Sequence, residues 1–377
     1  MADLAIGSQS PTAHGTEADN VIEVIDINVH FRTQIGTVRA LNGVSFSIPR
    51  GKVLGVVGES GCGKSITGLS ILQLVPSPGK ILSGQILFRE KLGGATVNLL
   101  EYERNGHDMR AIRGKNISMI FQEPMTSLNP CYTTGDQIME AILLHQTTDP
   151  RIAKDHSIQI LQKVGMPNPE RIFTSFPHQL SGGMRQRAMI AMALSCEPDL
   201  LIADEPTTAL DVTTEAQILD LMRDLQSDIG MSIMYITHHL GVVAQMCDEV
   251  AVMYLGRVVE RASIDDIFYD PKHPYTTSLL RSIPRLGNRR KEHLEVIRGT
   301  MPDPYSSVPG CPFHPRCPSA IPGICDVLMP QQVIVNSKND HTVRCHLYPG
   351  STVAPGNTAM PIGGAELTKP TQKPSRR

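Results

Sequence analysis

The chain has 377 residues, with 35 Lys plus Arg against 37 Asp plus Glu and a formal net charge of −2. That balance excludes the broad basic field that recruits nucleic acid without a specific site. The 4% aromatic content, with no Trp, excludes base-stacking platforms and aromatic sugar clefts as working expectations.

Apolar residues make up 41% of the chain, enough for a sizeable core, and the length allows two or three domains of roughly 100–200 residues each. No apolar run reaches the roughly 18 residues that a membrane helix needs. The N-terminus carries neither a basic nor an apolar signal region, so the chain is expected to stay in the cytosol.

Residues 1–20 are small and polar and read as a flexible tail. Residues 21–285 alternate short β-rich runs with helical stretches, which indicates an α/β domain with a largely parallel sheet. Two runs, 53–57 and 200–203, are almost wholly apolar and suit strands buried on both faces. Residues 286–349 are rich in Pro, Cys and His and poor in apolar runs. Such a segment reads as a small irregular extension that needs a staple to hold its shape. Residues 350–377 are rich in Pro, Gly, Thr and Lys and are expected to be disordered. No internal repeat is evident.

The run Gly58-Glu59-Ser60-Gly61-Cys62-Gly63-Lys64-Ser65 fits a phosphate-binding loop, and it lies between a strand and a helix as that loop requires. Its glycines let backbone N–H groups turn toward phosphate oxygens, and the helix start adds partial positive charge. Lys64 is placed to reach the β- and γ-phosphates, Ser65 to offer a hydroxyl to Mg²⁺, and Ile66 follows in the same turn. Cys62, at a helix start beside Lys64, is expected to carry thiolate character and to be protected from alkylation by Mg-ATP. Further along, an apolar strand ends in Asp204-Glu205. Asp204 suits Mg²⁺ and Glu205 suits the polarisation of an attacking water.

Residues Leu180-Ser181-Gly182-Gly183-Met184-Arg185-Gln186-Arg187 resemble the signature motif of ATP-binding-cassette (ABC) ATPases. Physically, Ser181, Gly182 and Gly183 open a helix and make a second anion site away from the phosphate loop. Three further segments match the family in order: Gln122 the Q-loop, Ala209-Leu210-Asp211 the D-loop, and His238 the switch histidine. The resemblance covers roughly residues 21–285. It implies a P-loop ABC nucleotide-binding domain with a parallel-sheet core, an antiparallel β part and a helical subdomain at about 125–190.

It also implies that Gln122 joins Ser65 and Asp204 at Mg²⁺, and that Glu205, His238 and Gln122 act in ATP hydrolysis. Phe31 is expected to stack on adenine. The signature would face ATP held by another subunit. Met184, where many members have Gln, looks like the peptide-importer branch. His239 follows His238, and strand alternation places the two on opposite faces, so His239 reads as a bystander.

Pro271-Lys272-His273-Pro274-Tyr275-Thr276 and Gly310-Cys311-Pro312-Phe313-His314-Pro315-Arg316-Cys317-Pro318 resemble the C-terminal extension of peptide- and nickel-type ABC importers. The implied role is an ATP-hydrolysing subunit of a di-/oligopeptide importer, peripheral on the cytoplasmic face of the membrane. Nickel or oligosaccharide cargo and a soluble ABC ATPase are the alternatives. Implied partners are a second ABC ATPase, with a heterodimer favoured, two membrane permeases, and an extracytoplasmic substrate-binding protein; no nucleic acid is expected. Cys311, Cys317, Cys325 and Cys345 are expected to hold a [4Fe–4S] cluster. Zn²⁺, with help from His314 or His346, and four free thiols are the alternatives.

Overall fold

The structure is a computed structural model and describes residues 20–90, 95–122, 127–208, 210–282, 297–306, 308–337 and 340–352. Most of the expected N- and C-terminal tails and the 285/286 boundary lie outside those residues.

Two sheets form the frame. The first is antiparallel, in the order β2-β1-β4-β5: β1 (Asn20–Arg32), β2 (Thr37–Pro49), β4 (Gly79–Arg89) and β5 (Thr96–Asn98). The second has eight strands. Five of them are parallel neighbours, in the order β9 (Glu249–Tyr254), β3 (Val53–Val57), β8 (Ser232–Thr237), β7 (Leu200–Asp204) and β6 (Ile117–Ile120). The expected strand runs at 53–57 and 200–203 are there, and every residue of β3, β7 and β8 is buried. Strands covered on both faces carry apolar residues at every position rather than at alternate ones.

The helices are α1 (Lys64–Ile71), α2 (His107–Ile112), α3 (Thr134–His145), α4 (Pro150–Lys163), α5 (Pro169–Phe173), α6 (Gly182–Leu194), α7 (Val212–Ile229), α8 (Leu240–Met246), α9 (Ile264–Tyr269) and α10 (Pro274–Arg281). Ile71 and Leu72, at the end of α1, pack in a core that joins the inner faces of the two sheets through Val24, Val29, Phe46, Val56 and Met253. The opposite face of the large sheet carries a second core. There Ile138, Ile160, Met189 and Leu219, from α3, α4, α6 and α7, meet Val57, Ala203 and Tyr235.

The C-terminal extension is not wholly irregular. Its strands β11 (Val333–Asn336) and β12 (His341–Val343) extend the large sheet through antiparallel pairing of β12 with β10 (Arg257–Ser263). Glu260 of β10 is fully buried and ties three segments together. It accepts hydrogen bonds from the backbone N–H groups of Lys272 (2.6 Å) and His273 (2.9 Å), and it sits 2.8 Å from His341 Nε2. Phe313 stacks its edge against Tyr254, at 5.3 Å between centroids, and packs beside Tyr275.

These contacts correct the metal expectation. Among the described residues, no group of three or more His, Cys, Asp or Glu side chains is arranged to hold a metal ion. The iron–sulfur and zinc expectations for the four late cysteines are therefore not supported, and none of the four is in a disulfide. Burial pushes Cys311 up to about 12 and Cys345 up to about 11, which favours the protonated thiol. The extension takes its shape from strand pairing, the Glu260 bonds and the aromatic cluster, so the staple inferred from composition is supplied by the cassette itself.

His273 is fully enclosed beside Glu260, and burial drives its pKa down from 6.5 to about 4. The neutral ring accepts the Tyr275 N–H on Nδ1 at 3.1 Å. The folded state therefore refuses a proton that the unfolded state takes up. Stability from this site is complete above about pH 6.5 and declines as the pH falls toward 4, by about 3 kcal/mol in the limit. Denaturant midpoints of wild type and His273→Asn, measured from pH 7.5 to 4.5, should converge as the pH falls.

Candidate nucleotide site

The phosphate loop leaves the end of β3 and enters α1. Gly58 has φ 153°, and a Cβ there would run into the Met253 carbonyl. Gly63 has φ 107°, and a Cβ there would lie 2.6 Å from the Ala40 carbonyl oxygen. Both positions therefore need glycine. No side chain caps the start of α1, so the positive end of its dipole faces the loop. Lys64 is only 6% exposed and curls back over the loop. Its Nζ donates to the carbonyls of Gly58 (2.8 Å) and Glu59 (3.1 Å), which fixes the ammonium where phosphate oxygens would arrive.

β7 delivers the two acids. Asp204 is buried and accepts a hydrogen bond from Ser65; burial raises its pKa and the Ser65 bond opposes that rise. Its Oδ1 has no hydrogen-bond partner among the described residues. A buried, unpaired carboxylate oxygen beside a hydroxyl is a hard-oxygen donor set, and it fits Mg²⁺. The next residue, Glu205, turns out of the strand at φ 47°. Its Oε2 accepts from Gln122 Nε2 (3.1 Å) and Thr208 Oγ1 (2.9 Å), and its Oε1 lies 2.8 Å from His238 Nδ1. Burial pushes the Glu205 pKa up, but the bonds from His238, Thr208 and Gln122 prevail and hold it below its usual value. Glu205 is thus an ionised base at neutral pH.

These residues border a cleft of about 830 Å³. Ser60, Gly61, Gly63, Lys64, Ser65, Ile66, Gln122 and Glu205 line one side of it. The other side was missed in the sequence. It comprises Val38, Arg39, Ala40 and Asn42 from β2, Leu255, Gly256 and Arg257, and from the extension residues 301–304, Ser306, residues 308–310, Pro312 and Met329. No local motif marks these segments; only the fold brings them to the loop.

Several expected site residues do not line the cleft, among them Gly58, Asp204 and His238. Phe31 does not line the cleft. Its half-buried ring lies close to Gly79 and packs against the edge of the core between the sheets. Cys62 is fully buried in that same core, and burial raises its thiol pKa despite Lys64 nearby. The thiolate expectation fails because the side chain points beneath the loop rather than into the cleft.

Ser181, Gly182 and Gly183 also lie off the cleft. Ser181 caps α6 by accepting the Met184 N–H (3.3 Å), and it stays exposed with Gly182. A Cβ on Gly183 would come within 2.9 Å of Thr214 Cγ2, so the start of α6 rests on the start of α7. Asp211 caps α7 through the Thr214 N–H (2.9 Å) and hydroxyl (2.8 Å), which lower its pKa. Ser181–Gly183 and Asp211 therefore form a second locus. Ala209 and residues 123–126 lie outside the described residues. β8 ends at Thr237, so strand alternation does not apply to the two histidines, and the His239 ring meets that of His238 edge-on at 4.3 Å.

A phosphate loop, paired acids at the next strand end, and a histidine and glutamine closing on the second acid define a P-loop ATPase cassette. Residues 41–208 match the ABC transporter family, and residues 259–325 match the oligopeptide/dipeptide transporter C-terminal region. The chain is 49% identical to the dipeptide transport ATP-binding protein DppD of Bacillus subtilis, over 87% of this chain and 95% of that protein. It is 48% identical to the oligopeptide transport ATP-binding protein AppD of Bacillus subtilis, over 87% and 97% respectively. Among solved structures, cbiO1 from Clostridium perfringens, part of the ABC transporter complex cbiONQ, superposes with a TM-score of 0.55. It is 28% identical and covers 67% of this chain and 92% of that one. The chain belongs to the ABC transporter ATPases, in the dipeptide/oligopeptide branch.

Buried Cys62 should react slowly with iodoacetamide, at rates that do not change with Mg-ATP, whereas exposed Cys131 should react first. Peptide-level alkylation kinetics check this. Fast, nucleotide-protected labelling of Cys62 would contradict its placement.

Proposed function

We propose that this chain is the ATP-hydrolysing subunit that drives import of di- and oligopeptides across the cytoplasmic membrane, bound peripherally on its cytoplasmic side. The observation that carries the reading is the Glu205 carboxylate, ionised and held by Gln122, Thr208 and His238 beside the phosphate loop. The peptide cargo rests on the branch to which the chain belongs.

In this mechanism the loop N–H groups and Lys64 bind the triphosphate and hold it in register. Glu205 accepts the proton of the attacking water, and Gln122 and His238 fix the direction of its two oxygens. Mg²⁺, when bound, neutralises charge on the phosphates, and Ser65, Gln122 and Asp204 would hold it. Cys62 contributes through its backbone in the loop, since its thiol points away.

The separation of Ser181–Gly183 and Asp211 from the cleft supports a shared site, in which the signature of each subunit covers ATP held by the other. The second subunit is a related, different ATPase. Two permeases dock near Gln122 and residues 123–135 and receive peptide from an extracytoplasmic binding protein. The cassette spans 21–285, with its helical part at about 125–190, and the extension spans 286–349.

Glu205→Gln keeps the shape of the side chain and removes its basicity. ATP binding should persist while single-turnover hydrolysis falls by about 10²–10⁴. Near-normal hydrolysis would remove Glu205 from the chemistry.

A further inference from the structure

The phosphate loop is held from outside the cassette motifs, and the holding group is in the extension. Arg316 is 7% exposed and lies between Cys311 and Cys325 in sequence. Its two terminal nitrogens grip the carboxylate of Glu59, the second residue of the phosphate loop, at 2.7 and 3.0 Å. The guanidinium is itself anchored: Nε donates to the Arg298 carbonyl at 2.9 Å, and the group lies 5.9 Å from the centre of the Tyr254 ring. The Glu59 backbone is fixed as well, and its carbonyl accepts the Cys62 N–H at 3.3 Å. Its N–H donates to the Tyr275 hydroxyl (2.9 Å), and its carbonyl accepts from Lys64 Nζ (3.1 Å).

We propose that Arg316 is a positioning residue for the phosphate loop, so that nucleotide affinity depends on the folded C-terminal extension. The physical argument is geometric. A bidentate guanidinium–carboxylate pair restricts both position and rotation, which a single bond does not. Glu59 adjoins Ser60 and Gly61, both of which line the cleft. Freeing its side chain leaves the loop tied through its backbone, by Tyr275 and Lys64 at Glu59 and by the Gly256 N–H at the Cys62 carbonyl (2.8 Å), and Lys64 is the group needed at the phosphates. Met301, Pro302 and Gly310 line the same cleft, so the extension touches the nucleotide space directly as well as through Glu59. The inference rests on the reading of residues 58–65 as the triphosphate site.

The test is ATP titration of the full-length chain, by equilibrium binding and by steady-state hydrolysis, with thermal midpoints recorded for each variant. Arg316→Gln should raise the Kd and KM for ATP about tenfold, with kcat at saturating ATP within about twofold. Arg316→Lys keeps the charge without the fork and should fall between wild type and Arg316→Gln. Glu59→Gln should raise KM by a similar factor, and the double variant should be no worse than the worse single one, because one contact is lost in each case.

Unchanged Kd and KM in Arg316→Gln would overturn the proposal. So would a fall in kcat at constant KM that tracks a lowered thermal midpoint, since that marks lost folded protein. If Arg316→Gln does not fold, the KM values of Arg316→Lys and Glu59→Gln decide, and wild-type values in both would overturn the proposal. Lys64→Ala runs in parallel. If it abolishes ATP binding while Arg316 variants bind normally, only this inference fails. If it binds ATP normally, the site reading itself fails.

Discussion

Everything at the site depends on the parallel register of three neighbouring strands. Val57 of β3 lies opposite Thr237 of β8, and Asp204 of β7 lies opposite Ile236 of β8. The next residues in the chain, Gly58, His238 and Glu205, therefore leave the sheet together at its carboxyl edge, where open α/β sheets place their ligands. No side-chain interaction alone could assemble them, because they come from three separate parts of the chain. The ladder does so, and the fully buried, largely apolar strands keep it in place by burying both faces. A slip of one residue in β7 would move Glu205 into the place of Asp204, putting the base where the buried metal ligand belongs.

The same edge explains why the carboxylates differ. Asp204 is the last residue of its strand and stays enclosed, with one oxygen given to Ser65 and one unpaired. Glu205 escapes the strand through a left-handed turn and gathers three hydrogen-bonding partners. Burial acts on both, but only Glu205 has enough partners to overcome it. Two adjacent acids thus acquire separate chemistry from one change of backbone direction. On the far side, the extension closes the frame: β12 lengthens the sheet, Glu260 ties the strand edge to α10, and Arg316 reaches the loop.

The local parts of this site were legible in the sequence because their chemistry needs particular residues at fixed spacing. Gly58, Gly63, Lys64 and Ser65 form one such run, and Asp204-Glu205 after an apolar strand is another. The sheet core was legible for the same reason, since 53–57 and 200–203 have no polar face. Side-chain direction was not. Phe31 and Cys62 were placed at the site by position along the chain, yet Cys62 lies in the core between the sheets and half-buried Phe31 packs against it. The extension was misread from composition. Its four clustered cysteines suggested a metal, while the contacts that shape it join residues far apart, such as Arg316 and Glu59, which are 257 positions apart. No spacing rule reaches that distance.

The central claim is that triphosphate held at Lys64 powers peptide uptake. Its most direct measurement is uptake of a radiolabelled dipeptide by cells in which the gene for this chain is replaced by the Lys64→Ala form. The variant must be present at wild-type level, and the same cells must keep their uptake of an unrelated amino acid. The account predicts that dipeptide uptake falls to background while the unrelated uptake is unchanged. Dipeptide uptake at the wild-type rate in the Lys64→Ala cells would contradict it.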